Sequence, residues 1–132
     1  MRVFETDYVS MWIEDDILFS NYKKQLAMDI DVAKQIVRDR IAFTQGRPYY
    51  ILIDFTHLKS VTKDARDYMN NPEGGLKGLL GGAFLSNNIV ATLFVNLFLK
   101  VSHPAIPARF FTNKSEALAW LKKKQAETVQ IS

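Results

Sequence analysis

Histidine and cysteine, two residue types that often carry out catalysis, are scarce in this sequence. The 132-residue chain has two histidines, His57 and His103, and no cysteine. His57 follows a predicted strand that ends at Asp54, a place where functional residues are common in α/β folds. Neither histidine has an acidic partner at the helical spacing of metal ligands. An enzyme built from these residues would need Asp54, His57 and Arg109 to act together.

Asp54 and His57 allow two interpretations. A carboxylate at the end of a strand can serve as a base in a polar pocket, with the histidine beside it. The alternative is that Asp54 accepts hydrogen bonds from backbone amides of the loop that follows, which is the common role of such an acid. We therefore predict no catalytic residue, no cofactor and no metal, and we retain Asp54 and His57 as a candidate polar pocket.

Five glycines between residues 74 and 82 invite comparison with a phosphate-binding loop. The glycine-lysine-serine/threonine ending of such a loop is absent, and the stretch "LLGGAFLSN" is too apolar to hold a phosphate. Glycines along a strand can instead let a helix approach closely, or they can leave room for a ligand. The sequence is compatible with both.

Composition places the chain among globular proteins, with 48% hydrophobic and 23% charged residues. We expect one domain spanning residues 1–132, which is long enough to bury a core. The opening "MRVFETDYVS" has no apolar run, so we expect no signal peptide and a cytoplasmic location. The net charge is only +3, and the lysine run 122–124 is expected in the last turn of a helix, where cations complement the helix dipole. No nucleic-acid partner is predicted.

The first half of the chain reads as a hairpin followed by a helix. Residues Tyr8–Tyr22 alternate apolar and polar positions with the period of a strand, and Asp15-Asp16 would form the turn. Residues Asp29–Gly46 predict an amphipathic helix that Asp29 or Asp31 caps at its start and Gly46 at its end. Its apolar stripe consists of Ile30, Ala33, Ile36, Val37 and Ile41.

The second half alternates strands and helices. The unbroken apolar run in Arg47–Phe55 predicts a central strand that is covered on both faces. The later elements are a helix from Lys63 to about Asn70, a strand within 76–87, a helix over 87–101, a strand over 107–113 and a last helix capped by Asn113. The order is therefore β-β-α-β-α-β-α-β-α, an α/β fold with helices laid across a sheet.

Residues 87–101, "NNIVATLFVNLFLKV", are here called the apolar segment. At 15 residues it is shorter than the roughly 20 needed to span a bilayer, so no transmembrane segment is predicted. Its polar residues Thr92, Asn96 and Lys100 stand four apart and form one narrow stripe. The remaining surface needs a cover, which could be a second copy of the chain, a hydrophobic ligand or a membrane surface. The expected contact residues are Val90, Leu93, Phe94, Leu97, Phe98 and Val101.

The element order, with "PYYILIDFTHLKSVTKDARDYM" and "IPARFFTNKSEALAWL", resembles small bacterial proteins with the fold of anti-sigma-factor antagonists, called SpoIIAA-like or STAS-like. The likeness covers about residues 8–124. The CRAL-TRIO lipid-transfer domains share this architecture more loosely. The resemblance implies a STAS-like α/β domain that acts as a non-enzymatic regulatory or protein-interaction module, with a regulatory protein as one partner. The apolar segment separately predicts self-association as a homodimer. The alternative is a binder or carrier of a lipid or other hydrophobic small molecule.

The serine that is phosphorylated in true anti-sigma-factor antagonists is replaced here. By resemblance, Thr62 falls on the family's aspartate, Lys63 on the phosphoserine, Asp64 on the second serine and Ala65 on the glycine. Lysine cannot accept a phosphate, so the known switch is missing as such. Ser60 or Thr62 could substitute only if the loop shifted, and we predict capping or loop hydrogen bonding for both.

Overall fold

A computed structural model describes residues 2–87 and 106–131 of the chain. Its strands are, in chain order, β1 (Phe4–Glu5), β2 (Val9–Glu14), β3 (Ile17–Tyr22), β4 (Leu26–Met28), β5 (Tyr49–Asp54), β6 (Leu58–Val61), β7 (Leu79–Leu85) and β8 (Ala108–Phe111). Six of them form one sheet in the spatial order β1-β2-β3-β5-β7-β8, while β4 and β6 pair separately. Strands β1 to β3 are antiparallel, and β3, β5, β7 and β8 are parallel.

Three helices are described: α1 (Ile30–Thr44), α2 (Lys63–Met69) and α3 (Lys114–Ile131). Helix α1 packs against α2, and both contribute to the apolar core on one face of the six-stranded sheet. Helix α3 packs on the opposite face, against β5, β7 and β8. The described part of the chain therefore has two apolar cores, one on each side of a single sheet. Among the described residues, no helix has both the length and the hydropathy that a membrane crossing requires.

Strand β5 is the centre of this arrangement. Its odd-numbered residues Tyr49, Ile51 and Ile53 belong to the core beneath α1. Tyr50 and Leu52 belong to the core beneath α3. The prediction of a strand covered on both faces is confirmed, and the reason is its unbroken apolar sequence between parallel neighbours.

The predicted β2–β3 hairpin is also confirmed. Glu14 pairs with Ile17, so Asp15 and Asp16 alone form the turn. Both have positive φ angles, 53° and 60°, which is the geometry of a type I′ turn. Aspartate tolerates this region better than most non-glycine residues, so the local sequence is compatible with the tight turn.

Helix α1 begins as predicted and ends slightly earlier. The Asp29 side chain accepts a hydrogen bond from the amide of Val32 at 2.9 Å, which caps the start. The last helical residue is Thr44, and Gly46 follows two residues later with a φ angle of 75°, so the predicted cap at this glycine is confirmed. The Gly46 amide then donates to the Ile41 carbonyl at 3.1 Å and satisfies a terminal acceptor.

Helix α3 is longer than expected. Asn113 caps it by accepting a hydrogen bond from the Glu116 amide at 3.1 Å, as predicted. The helix continues to Ile131, so the lysine run 122–124 lies within it and not in its last turn. The physical reason is that "QAETVQI" contains neither glycine nor proline to stop it. Lys124 instead forms an ion pair with Glu127 at 3.4 Å.

The predicted strands at β7 and β8 and the predicted helix at α2 are confirmed. Three strands were not predicted: β1, β4 and β6 have only two to four residues, too few for a periodic pattern to be read. The helix predicted over the apolar segment lies outside the described residues from residue 88 onward.

Glycine 81 is required by close packing in the core beneath α3. A Cβ atom at Gly81 would lie 2.8 Å from Cε1 of Tyr50 and 3.1 Å from the Pro107 carbonyl oxygen. Tyr50 cannot easily move, because its ring is buried and its hydroxyl is hydrogen-bonded to Thr128 of α3. This glycine therefore allows the sheet and α3 to be joined through the tyrosine.

We predict that Gly81→Ala lowers the free energy of unfolding by about 1–3 kcal/mol, the usual cost of overpacking a core. Gly82→Ala is the matched control, because the atom nearest to its added Cβ would be Cγ2 of Ile51 at 3.3 Å, a longer distance than the 2.8 Å at Gly81. Urea denaturation of the two variants gives the comparison. An alanine at position 81 that is tolerated as well as one at position 82 would contradict this account.

Candidate functional site

An apolar cavity of about 90 Å³ lies between the six-stranded sheet and the elements that cover its α1 face. The described residues that border it come from the sheet, from α1 and α2, and from the small β4–β6 sheet. Four of them are polar or charged: Tyr22, Arg40, Arg66 and Asn70. The other described lining residues are aliphatic, aromatic, methionine or glycine, so the cavity wall is mostly apolar.

The sheet side of the cavity owes its space to two small residues. Leu18, Ile51, Gly82 and Ala108 occupy one row across β3, β5, β7 and β8, because each pairs in register with the next. The row thus runs from large side chains to small ones, and Ile51, Gly82 and Ala108 all border the cavity. Side chains in protein interiors normally interdigitate and leave few gaps larger than a water molecule. Glycine and alanine at these two positions leave volume that neighbouring side chains do not fill.

A close approach occurs at one glycine of the strand, although to a tyrosine side chain and not to a helix, and room for a ligand at the other stays a prediction. Gly81 accepts the Tyr50 ring on the α3 side, where a close approach is needed. Gly82 borders the cavity on the α1 side. Adjacent residues of a strand face opposite sides of a sheet, so two neighbouring glycines serve two different purposes.

Helix α2 supplies Arg66 and Met69 to the opposite side of the cavity, and its C-cap residue Asn70 borders the cavity as well. The position of the helix depends on Thr62, whose hydroxyl accepts a hydrogen bond from the Ala65 amide at 3.3 Å and caps the helix. The capping role predicted for Thr62 is thus confirmed. The cap fixes the first turn of a helix of only seven residues, two of which border the cavity.

Among the described residues that border the cavity, Arg40 is the one that is both charged and buried. Its side chain is only 4% exposed, and Nη2 donates a hydrogen bond to the Lys77 carbonyl at 2.8 Å. Burial lowers the pKa of Arg40 to about 10, so the guanidinium remains charged at neutral pH. Burial also raises the pKa of the nearby Tyr22 to about 12, so that phenol remains neutral.

Sequence reasoning missed Arg40 as a site residue. The signal was present in its spacing, because Ala33, Ile36 and Val37 predict the buried face of α1 and Arg40 continues that face. Charged residues are seldom fully buried, so the pattern of apolar residues alone passes over it.

The candidate polar pocket of Asp54 and His57 remains a prediction. Asp54 Oδ1 accepts a hydrogen bond from the Thr56 amide at 3.0 Å, the loop role considered above. His57 is exposed, and neither residue is among the described residues that border the cavity. Arg109 is exposed on β8, with its guanidinium carbon 5.2 Å from the centre of the Phe111 ring. Over the described ranges, no three acidic or histidine side chains are grouped as a metal site would need.

The loop that carries the phosphoserine in anti-sigma-factor antagonists is well defined here. Lys63, which takes that position by resemblance, is the first residue of α2 and pairs with Asp67 at 3.0 Å. Ser60 is exposed on β6.

The contact residues predicted on the apolar segment lie outside the described residues. These are Val90, Leu93, Phe94, Leu97, Phe98 and Val101; His103 lies outside them as well. Large apolar side chains that are exposed in the described part of the chain are few, namely Val3 and Leu80.

Comparison with known proteins supports the fold. The chain is similar to an uncharacterized protein of the DUF3478 family from Shewanella loihica PV-4, whose crystal structure has a SpoIIAA-like fold. The TM-score is 0.60 with 18% sequence identity, over 86% of this chain and 91% of that one. The prediction of a SpoIIAA-like, STAS-like α/β fold is thereby confirmed. No match is found among curated proteins. A family model described as a domain of unknown function, DUF7793, matches residues 11–125, and the chain belongs to that family.

Proposed function

We propose that this protein is a non-enzymatic binding module that holds a small apolar molecule in the cavity between the sheet and α1 and α2. The observation that carries the proposal is the unfilled apolar space beside Ile51, Gly82 and Ala108. Apolar cavities are poor sites for water, because water needs polar partners, and they accept apolar molecules of matching size.

The volume limits what can enter. Sites for drug-sized ligands measure about 300–1,000 Å³, whereas this cavity measures about 90 Å³. The buried part of the ligand is therefore comparable to a short acyl chain or a single ring. Removing roughly 150 Å² of such a molecule from water is worth about 4 kcal/mol, which corresponds to a Kd in the millimolar range. A tighter complex requires polar contacts in addition.

The absence of catalysis is part of the same proposal. Asp54 is engaged by the Thr56 amide, and His57 is exposed on the loop after β5. A general base needs to reach a bound substrate at hydrogen-bond distance, and neither residue borders the cavity within the described part of the chain. We also place the protein in the cytoplasm as one domain of residues 1–132, on the basis of its sequence.

We predict that filling the cavity abolishes binding of 1-hexanol, used as an apolar probe. Ala108→Leu adds three carbon atoms beside Gly82, whereas Ala119→Leu adds the same volume at an exposed position of α3 and serves as the control. Titration of hexanol followed by heteronuclear NMR should give saturable shifts for the wild type and the control. Equal affinity in Ala108→Leu would contradict the proposal.

The protein as purified offers an independent check. A bound molecule stays with the protein through purification only if polar contacts bring its Kd far below the millimolar value that apolar burial alone provides. With such contacts, organic extraction followed by mass spectrometry should release it from the wild type. The Ala108→Leu variant should release less of it than Ala119→Leu. Identical extracts from all three proteins would argue against occupation of the cavity.

Self-association is a second candidate function, and it corresponds to a regulatory or interaction module that acts as a homodimer. It is favoured by the sequence of the apolar segment, whose polar residues form only one stripe. The described surface exposes few large apolar side chains, so a dimer interface of ordinary hydrophobicity would have to include that segment.

We predict that Phe94→Asp converts a dimer into a monomer, because a charge in an apolar interface is costly to desolvate. Asn96→Asp introduces the same carboxylate on the polar stripe of the same segment and is the control. Multi-angle light scattering measures the mass of each. The same mass for wild type and Phe94→Asp would count against this interface.

A further inference from the structure

Arg40 has more hydrogen-bonding capacity than the protein uses. A guanidinium carries five N–H donors, and the contact described for this one is Nη2 with the Lys77 carbonyl. The residue is only 4% exposed, but none of its nitrogen atoms is among the fully enclosed, unpartnered side-chain atoms of the described residues, so its remaining donors keep access to the space beside them. Buried charges are usually paired, because an unpaired one costs several kcal/mol of desolvation. An anion in the cavity would provide the missing acceptors.

The chain itself offers no carboxylate for this role in the described structure. No aspartate or glutamate is among the described residues that border the cavity. Ion pairs of the described residues join Lys23 to Glu5, Lys63 to Asp67 and Lys124 to Glu127, and none includes Arg40. The sequence from 88 to 105 contains no acidic residue either. A second arginine, Arg66, also borders the cavity and brings a second positive charge to its neighbourhood.

We propose that the ligand of this cavity is a small apolar carboxylic acid, and that Arg40 binds its carboxylate while the hydrocarbon part lies against Ile51, Gly82 and Ala108. This inference rests on the proposed function and specifies the chemistry of its ligand. The cavity then combines an apolar wall with a positively charged pole, which matches an amphiphile with a single anionic group.

A carboxylate fits this pole better than a phosphate does. The planar guanidinium presents parallel donors that match the two oxygens of a carboxylate. A phosphate monoester has three terminal oxygens and up to two negative charges, so burying it calls for more donors than a carboxylate does. Backbone amides at a glycine-rich turn or a helix start commonly supply those donors. The amides of Gly75 and Leu76, in the turn that borders the cavity, already donate to the carbonyls of Tyr68 and Asn71.

The interaction is tested by removing charge from the protein and from the ligand separately. Wild type, Arg40→Met and Arg38→Met are titrated with sodium hexanoate and with 1-hexanol, followed by NMR. Arg38 is the matched control, since it is exposed on the same helix and contacts Gln35. Thermal unfolding of each variant reports whether Arg40 is needed for folding; Arg40→Lys repeats the titration with the charge kept.

We expect Arg40→Met to raise the Kd for hexanoate at least tenfold, because a hydrogen bond to a charged group is worth about 1.5–3 kcal/mol. The Kd for hexanol should stay within about twofold of the wild-type value. Arg38→Met should change neither. If wild type and Arg40→Met bind hexanoate with the same affinity, and hexanol likewise, the carboxylate assignment is wrong. The cavity would still be a ligand site. If neither probe binds wild type, the proposed function fails together with this inference. The proposal is also refuted if both Arg40→Met and Arg40→Lys lose much thermal stability and wild type binds hexanoate no better than hexanol. Arg40 would then be a structural residue.

Discussion

The feature on which this account depends is a shortage of side-chain volume on one face of a tightly packed sheet. Strand β5 is buried on both sides, and its neighbours β7 and β8 place Gly82 and Ala108 beside Ile51. Side chains that line apolar space lose packing partners on that side, and such gaps in a core lower stability. A molecule that filled the space would restore those contacts.

The buried arginine adds a second local cost at the same place. Arg40 could be replaced by a leucine or methionine to complete the apolar stripe of α1, and replacement of buried charges by apolar residues is often stabilising. A buried charge and an apolar gap each reduce stability, and the two occur side by side here. Such local sacrifices are typical of binding sites, where the protein keeps what the ligand needs. This is why we interpret the cavity and the charge together as one site.

The sequence predicted the framework well where the patterns are long. The apolar run of β5, the Asp15-Asp16 turn and the caps at Asp29, Thr62 and Asn113 each act through local chemistry that neighbouring residues determine. The cavity could not be predicted in this way, because it arises from the register of β5, β7 and β8, which brings together residues 51, 82 and 108. Arg40 lies on the buried face of α1 that the helical pattern predicts, but it was not included in the apolar stripe because it is charged. The lysine run 122–124 was misplaced because the end of α3 has no sharp stop signal.

The most direct test is a search for intermolecular nuclear Overhauser effects between sodium hexanoate and protein with isotopically labelled isoleucine methyl groups. Ile51 and Ile53 border the cavity, whereas Ile17 lies in the core beneath α3 and serves as an internal reference. The account predicts effects from the hexanoate chain to the methyl groups of Ile51 and Ile53 and none to Ile17. At saturating hexanoate, the absence of any effect at Ile51 and Ile53 would contradict it.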